Sequence, residues 1–520
     1  MTHEHEIEAL HLEELEAPSI EELEADAPRD TDAANVDAFV RAHGKGYRYV
    51  LEWSAWIAWS GKRWELPGAR GRVLRAAVLV AREEHYRCRG RIRAIESELK
   101  PLRLDAQRDQ DRIDELEARM KRETKLLAWF AQSQMQARIE ACAKGLETRL
   151  VVRMAELDRD PWLLNVANGT VDLRTGDLKD HDREDLITQI VDVEHDLDAR
   201  APTWAAFLDA AMRGSIGLTT YLQRLIGYTL TGRTDEHVLI FHYGHTGSNG
   251  KSTFLATIRA LLGDYACSAP RSLLFEPKTG AEPHPTELAR LYGKRLAICA
   301  EVPEHAELAE AKIKDITGGD VVSVRRMSEN FWDLTPTHTL HAAGNHKPTV
   351  HGTDGGIWRR IKLVPWTVTI AEKDQDRDLG AKLRAELPGI LAWAVRGCLD
   401  WQQVGLAEPF EVTGAGADFR AESDILAGFF ASQCVFEADA RESCKAIRKA
   451  YEGWCDDLGH RPVGARTLWR RVRERGARTL SVRHEGKPAE GFAGVRLRSA
   501  QELMREAAEL DVPRGEAVWS

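Results

Sequence analysis

The sequence predicts an α/β core set between an α+β domain on its N-terminal side and a small basic domain of winged-helix outline on its C-terminal side. Three observations carry this. An apolar run of strand length at 237–243 leads through a glycine-rich stretch into a helical pattern at 254–262. Ahead of it, residues 45–200 combine hairpin signals with a long helical series; behind it, residues 441–498 read as two helices followed by two strands. A chain of 520 residues has room for about three such domains.

The net charge of −10 is segregated. Residues 1–32 hold twelve Asp and Glu against Arg29 alone, a net of −11, which leaves about +1 for the remainder. Residues 1–44 are therefore expected to be an acidic, solvated tail, broken by Pro18 and Pro28, and residues 506–520 a second tail. No apolar run approaches the roughly 18 residues that span a bilayer, and an acidic start is the opposite of a secretory leader, so a cytoplasmic protein without a membrane partner is expected. The eight cysteines show no CxxC pair and no metal-ligand spacing, which predicts reduced, mostly buried thiols.

Within 45–200, LEWSAWIAWSGKRWE (51–65) reads as strand, tight turn at Ser60-Gly61, strand. Its tryptophans are expected to build a small core, with base stacking as the sharper alternative. Ile92, Ile95, Leu99, Leu102, Ala106, Ile113, Leu116, Met120 and Leu127 fall at heptad spacing and predict a helical hairpin inserted at about 85–150, with Pro101 and Asp109 at its break. Asn168-Gly169 and Thr175-Gly176 then signal successive β-hairpins. After Pro202, Leu222, Leu225, Ile226 and Leu230 share one helical face, and the core domain of 201–400 begins.

HVLIFHY (237–243), GHTGSNGKST (244–253) and the following Phe254, Leu255, Ile258, Leu261 and Leu262 give strand, glycine-rich loop, helix. That context suits a phosphate-binding loop, because glycines let backbone N–H groups converge on an anion at a positive helix end. Gly247, Ser248, Asn249, Gly250, Lys251, Ser252 and Thr253 form the expected nucleotide-binding set, with ATP and Mg²⁺ as ligands. Lys251 would reach the β and γ phosphates and Ser252 would hold the metal. One feature departs from the usual GxxxxGK[ST]. The first glycine belongs at 245, where His245 stands, with glycines at 244 and 247.

Farther on, RLAICAE (295–301) is a second apolar strand ending in Glu301, where a Mg²⁺-linked carboxylate that polarises water would stand. KIKDITGGDVVSVRRM (312–327) is a helix end, a Thr317-Gly318-Gly319-Asp320 turn and a β-branched strand, with Lys314, Arg325 and Arg326 basic around that turn. THTLHAAGNHKP (337–348) is a strand ending in Asn345, and GTDGGIWRRIKLVPW (352–366) presents Arg359 and Arg360 at the start of another.

In this order the NGKST, ITGGD, GNHKP and IWRR motifs resemble the superfamily 3 helicases, and most of all the helicase half of the primase-helicases of poxviruses, satellite phages and plasmids. The resemblance covers about residues 45–370. It implies an AAA+-like phosphate-loop ATPase that assembles as a homo-hexameric ring and moves along single-stranded DNA, encoded by a phage or other mobile element. Lys251 and Ser252 become the triphosphate and Mg²⁺ contacts, Glu301 the water-activating carboxylate, and Asn345 the γ-phosphate sensor. Arg359 or Arg360 becomes a finger supplied in trans, and the segment after TGGD the pore hairpin. Residues 1–44 leave no space for a catalytic primase domain, so primer synthesis by this chain is not expected.

At the other end, GAGADF (414–419) reads as a linker into a domain at 412–505. Residues 441–498 hold fifteen Lys and Arg against seven Asp and Glu, a net of +8. The winged-helix outline crowds Arg466, Arg470, Arg471, Arg473 and Arg475 onto its second helix, which suits phosphate contacts on single-stranded DNA or an origin duplex. Two other readings stay open: a nucleotide-switched, origin-binding initiator or loader, and the helicase subunit of a primase-helicase whose priming lies on a partner.

Overall fold

The computed structural model describes residues 29–105, 109–277, 285–300, 302, 304, 306–325, 331–352, 355–459, 462–484 and 487–504. Most of the acidic segment, Glu301, Arg326 and the 506–520 tail lie outside the described residues. The chain divides into two compact units, one of residues up to Ala199 with Leu261–Tyr265 and Ser323–Asp333, the other of Arg200–Ala260, Ala266–Val322 and residues from Leu334 onward.

The first unit opens with a departure from expectation. Residues assigned to a solvated tail form helix α1 (Asp32–His43), because Thr31 caps it by accepting from the Ala34 amide at 3.1 Å and because Val36 and Phe39 share a buried face. Strands β1 (Tyr47–Val50), β2 (Ala55–Trp59) and β3 (Trp64–Glu65) follow, with the tight turn at Gly61. Trp56 and Trp64 are buried, while Trp59 stays half-exposed.

Helix α2 (Ala69–Leu104) starts well before the anticipated insertion, since Val73, Ala76, Ala77 and Val80 pack against α1 and β2. With α3 (Gln110–Gln132) it forms the expected hairpin: Ile95, Leu99, Ile113 and Leu116 make the seam, and Asp109 caps α3 through the Arg112 amide. Arg91–Glu123 at 2.9 Å and Arg112–Glu98 at 2.6 Å cross it. Helix α4 (Gln136–Arg149) and β4 (Val151–Val152) complete this layer, β4 pairing parallel to β1. Strands β5 (Leu163–Val166), β6 (Gly169–Asp172) and β7 (Asp177–Lys179) are the two successive hairpins.

The second unit begins with α5 (Pro202–Ala211) and α6 (Ile216–Thr231). Its sheet begins with β8 (Leu239–Tyr243), followed by α7 (Lys251–Leu262), then β9 (Ala266–Ser268) and β10 (Leu296–Ala300). After β10 the chain forms α8 (Glu310–Gly318) and then a two-stranded ribbon of β11 (Val322–Val324) and β12 (Trp332–Leu334), most of which falls in the first unit. With β13 (Thr339–Gly344) and β14 (Ile361–Pro365) the order is β14-β8-β13-β10-β9, parallel throughout. These strands are largely apolar and mostly buried, as befits a parallel sheet covered on both faces, with His242, His341 and Lys362 as the polar interruptions.

Helix α9 (Leu387–Val404) packs along α6 at backbone contact. A Cβ on Gly227 would come within 2.1 Å of the Cys398 nitrogen, and one on Gly397 within 2.1 Å of the Gln223 carbonyl. Helix α10 (Phe410–Ser423) contains the GAGADF segment anticipated as a linker. Its Val412 and Phe419 are buried, and Phe419 meets Trp358 edge-on at 5.3 Å, so tertiary packing overrides the weak helix propensity of Gly414 and Gly416.

Past it come α11 (Ile425–Gln433), β15 (Cys434–Val435), β16 (Arg441–Ser443), α12 (Cys444–Asp457), α13 (Ala465–Glu474), β17 (Arg478–His484), β18 (Lys487–Ala493) and β19 (Arg496–Leu497). Strands β16-β18-β17 form an antiparallel sheet whose helices close a core of Phe429, Tyr451, Leu468, Val472 and Phe492. All eight cysteines are free, and none of the described helices is long and apolar enough to cross a membrane.

Replacing Gly227 or Gly397 by Ala forces α6 and α9 apart. Each substitution is expected to cost at least about 1–3 kcal/mol, read as a lowered thermal midpoint of the intact chain.

Candidate functional site

The sheet order sets β8 beside β13, with Tyr243 opposite Gly344 in the register. The segments leaving their carboxyl ends therefore emerge side by side: the loop 244–250 from β8 and Asn345 from β13. This is the edge at which open parallel sheets form ligand crevices.

The loop resolves the displaced glycine. A Cβ at 244 would lie 2.1 Å from Asn249 Nδ2, 2.6 Å from the Trp366 carbonyl and 2.8 Å from Lys251 Nζ. The close approach that demands a glycine thus falls at 244, one residue earlier than the usual spacing, and the loop is one residue longer. Gly250 has φ +89° and backs onto Phe207 and Trp366. Ser248 also has positive φ, at 56°, held by its carbonyl accepting from the Ile370 amide at 2.9 Å. Asn249 donates through Nδ2 to the Thr246 carbonyl at 2.8 Å, bracing the turn from inside.

Lys251 opens α7 and is only 6% exposed. Its Nζ donates to the Gly244 carbonyl and to Asn345 Oδ1, each at 2.9 Å. Burial draws its pKa down to about 8. Both partners are neutral, and among the described residues no carboxylate pairs with it. A cleft of about 500 Å³ lies against Lys251, with the exposed Ser252, Arg259, Val302, Asn345 and His346 around it. A buried ammonium, a serine hydroxyl and the unpaired N–H groups of a helix's first turn together suit an anion with several acceptor oxygens.

Beneath the loop sits a feature the sequence reading missed. Trp366 Nε1 donates to His242 Nδ1 at 3.1 Å, so His242 carries its proton on Nε2 and donates it to His341 Nδ1, also at 3.1 Å. Both rings are fully buried, and burial drives His242 well below the ordinary imidazole range, His341 to about 3 and the neighbouring His338 to about 4. The signal was present: two histidines inside the apolar strands HVLIFHY and THTLHAA.

The remaining candidates scatter. Arg359 is exposed at the end of a short helix, Gly355–Trp358, rather than on the strand. Arg360, paired with it in the sequence reading, is buried: its guanidinium donates to Thr317 Oγ1 at 3.0 Å and to the Gly356 carbonyl at 2.8 Å, bracing the end of α8. Lys314 is half-exposed on α8, and Arg325 lies over the Phe331 ring at 4.9 Å on the β11–β12 ribbon. On α13, Arg466, Arg470 and Arg473 are exposed, with Arg470 only 3.8 Å from Glu474. Arg471 is instead tied to Asp424 and Glu474 within its own domain, which removes it from the exposed set. Glu301 and Arg326 lie outside the described residues.

A family described as D5 N terminal like matches residues 36–213, and a family of unknown function matches 242–360, the stretch of the loop and sheet. A protein of Acanthamoeba polyphaga mimivirus that bears a helicase name is 23% identical over 304 residues, which is 54% of this chain and 31% of that one. A helicase-named protein of Frog virus 3 is 25% identical over 257 residues, and a primase-named protein of African swine fever virus 26% identical over 254, each match covering 46% of this chain and 26% of the other. The chain is similar to viral proteins that bear helicase and primase names. It spans no more than about a third of the length of these relatives, 31% and 26% in the first two. Among solved structures, the apo NrS-1 C-terminal region aligns over 58% of this chain and 77% of that one at 10% identity and a TM-score of 0.37, too loosely to inform the site.

The buried imidazoles give the chain an acid limb. Its unfolded chain takes up these protons near pH 6.5 and its fold does not, so the rings cost nothing above pH 6.5. Below it they remove about 1.4 kcal/mol per pH unit each, down to about pH 4 for His338 and about 3 for His341. His338→Leu should therefore lose thermal midpoint less steeply than wild type between about pH 6 and 4.5.

Proposed function

We propose that the chain is an ATP-dependent DNA helicase that moves along single-stranded DNA as a homo-hexameric ring during replication. The observation that carries the reading is Lys251: a buried ammonium with two neutral partners, facing a cleft at the end of a glycine-rich loop. A triphosphate supplies the missing negative charge, and the backbone N–H groups of the phosphate loop cradle it.

Ser252, exposed in the same cleft, would hold Mg²⁺, which would neutralise phosphate charge there. Asn345 already accepts from Lys251, and on nucleotide binding its amide is free to turn to the γ phosphate. Glu301 is the carboxylate assigned to the attacking water. Of the two arginines, the exposed Arg359 is the one able to reach a neighbouring subunit.

For the DNA, Lys314, Arg325 and Arg326 are the basic residues assigned to the pore element that follows the TGGD turn. For the C-terminal segment, the order helix, strand, two helices and two paired strands supports the winged-helix reading, in which α13 offers Arg466, Arg470 and Arg473 to phosphates.

Lys251→Ala should reduce ATP turnover by about a hundredfold or more and abolish strand displacement. ATP hydrolysis by the wild type without displacement would instead favour the nucleotide-switched initiator or loader. The kcat/KM for ATP is expected to be level up to about pH 8 and to fall above it, because the free protein then loses the Lys251 charge. Mixing Arg359→Ala with Lys251→Ala subunits should restore part of the activity at mixed interfaces, whereas Arg360→Ala should chiefly lower the thermal midpoint; no recovery at any ratio would rule out a finger in trans.

A further inference from the structure

The first unit holds a second basic cleft, remote in sequence from the phosphate loop. It measures about 360 Å³ and is built where α1, the turn after it, β1, β2 and α2 converge with the turn at 183–185. Arg41, Lys45, Arg72 and Arg183 line it with Tyr47 and Trp59.

Two properties set it apart from an ordinary solvated surface. The first is unbalanced charge. Among the described residues Arg41, Lys45 and Arg183 have no carboxylate partner, and Arg72 has only Glu65, at 3.8 Å. Other arginines of this unit do find carboxylates, as Arg70 with Glu140, Arg138 with Asp32 and Arg149 with Asp37. Four like charges converging on a concavity repel one another unless an anion enters, and a concave wall of low dielectric focuses their field.

The second is the pair of aromatic rings. Trp56 and Trp64 are consumed by the core, but Trp59 stays half-exposed on β2, tilted at 58° to Trp64 with 5.8 Å between centroids. Trp64 is fixed from behind by its Nε1 bond to the Arg183 carbonyl at 2.9 Å and by Arg48 over its ring at 5.1 Å. Trp59 thus rests on a rigid support at the edge of a basic cleft. Cations that track a backbone, beside an aromatic face that accepts any base, are the recognition chemistry of single-stranded nucleic acid. The volume suits a single nucleotide of a strand.

We propose that this cleft binds a single-stranded nucleic-acid segment, with phosphates on Arg41, Lys45, Arg72 and Arg183 and a base against Trp59. The site is independent of the nucleotide reading of Lys251, and its chemistry requires no hydrolysis.

The test uses the intact chain and a fluorescein-labelled oligothymidylate, with anisotropy measured over a salt series. Removing the two exposed cations, Arg41→Ala with Lys45→Ala, should weaken binding several-fold at low salt. It should also make the slope of log K against log salt shallower by about 1.4, two single-strand phosphate contacts. The charge-conserving pair Arg41→Lys with Lys45→Arg should keep the wild-type slope, and Trp59→Leu should lower affinity while leaving the slope unchanged. ATP hydrolysis without DNA should stay at the wild-type level in every variant, which separates this site from the phosphate loop. An unchanged slope in the double alanine variant, or no oligonucleotide binding by the wild type, overturns the proposal. So does displacement of the oligonucleotide by inorganic phosphate or free nucleotide at matched phosphate concentration and ionic strength, which would make the cleft a small-anion site.

Discussion

The two hydrogen bonds of Lys251 hold the second unit's chemistry together. They join the start of the glycine-rich loop, through the Gly244 carbonyl, to the residue that leaves the neighbouring strand, Asn345. Only because β8 and β13 are adjacent can one side chain touch both. Only because position 244 lacks a Cβ can the ammonium come so close to the loop's first carbonyl. Sheet order, loop length and the position of the lysine are thus one constraint seen from three sides. The cost is a charge held with neutral partners, and the lowered pKa of about 8 measures it.

Around that centre, the packing supplies rigidity. Trp366 touches the loop through Gly250 and Asn249 and the sheet through His242, so one indole ties the strand β8, the turn above it and the end of β14. Along the flank, α6 and α9 meet at glycines with no side chain between them, which lets two long helices act as a single slab. The C-terminal domain keeps its own core of Phe429, Tyr451, Leu468 and Phe492, and spends one of its arginines, Arg471, on bracing itself.

What was legible in the sequence follows from how local each signal is. The strand, loop and helix at 237–262, the two β-hairpins after 160 and the α2–α3 seam are written in short-range periodicity and turn residues, and the structure carries each of them. Arg360 and Arg471 were misread because exposure is not local: their partners, Thr317 and Asp424, lie 43 and 47 residues away. The same holds for GAGADF, a flexible composition made helical by Val412 and Phe419 finding a surface, and for residues 32–43, ordered by burial of Val36 and Phe39. Trp59 illustrates the middle case. Four tryptophans near one turn announced a small core, but which ring stayed outside it was decided by the pairing of β2 with β3.

The neutral imidazole pair under the loop has a consequence in proton bookkeeping. Because His242 and His341 are held far below neutrality, they neither take up nor release protons when an anion arrives above them. Lys251 is then the group of this trio whose charge responds, and an incoming anion raises its proton affinity. Anion capture above about pH 8 must accordingly draw in a proton from solution, whereas capture near pH 7 is close to proton-neutral at this lysine. The heat of binding in alkaline solution therefore carries the ionisation enthalpy of whichever buffer is present, a signature that belongs to the buried lysine and not to the sheet beneath it.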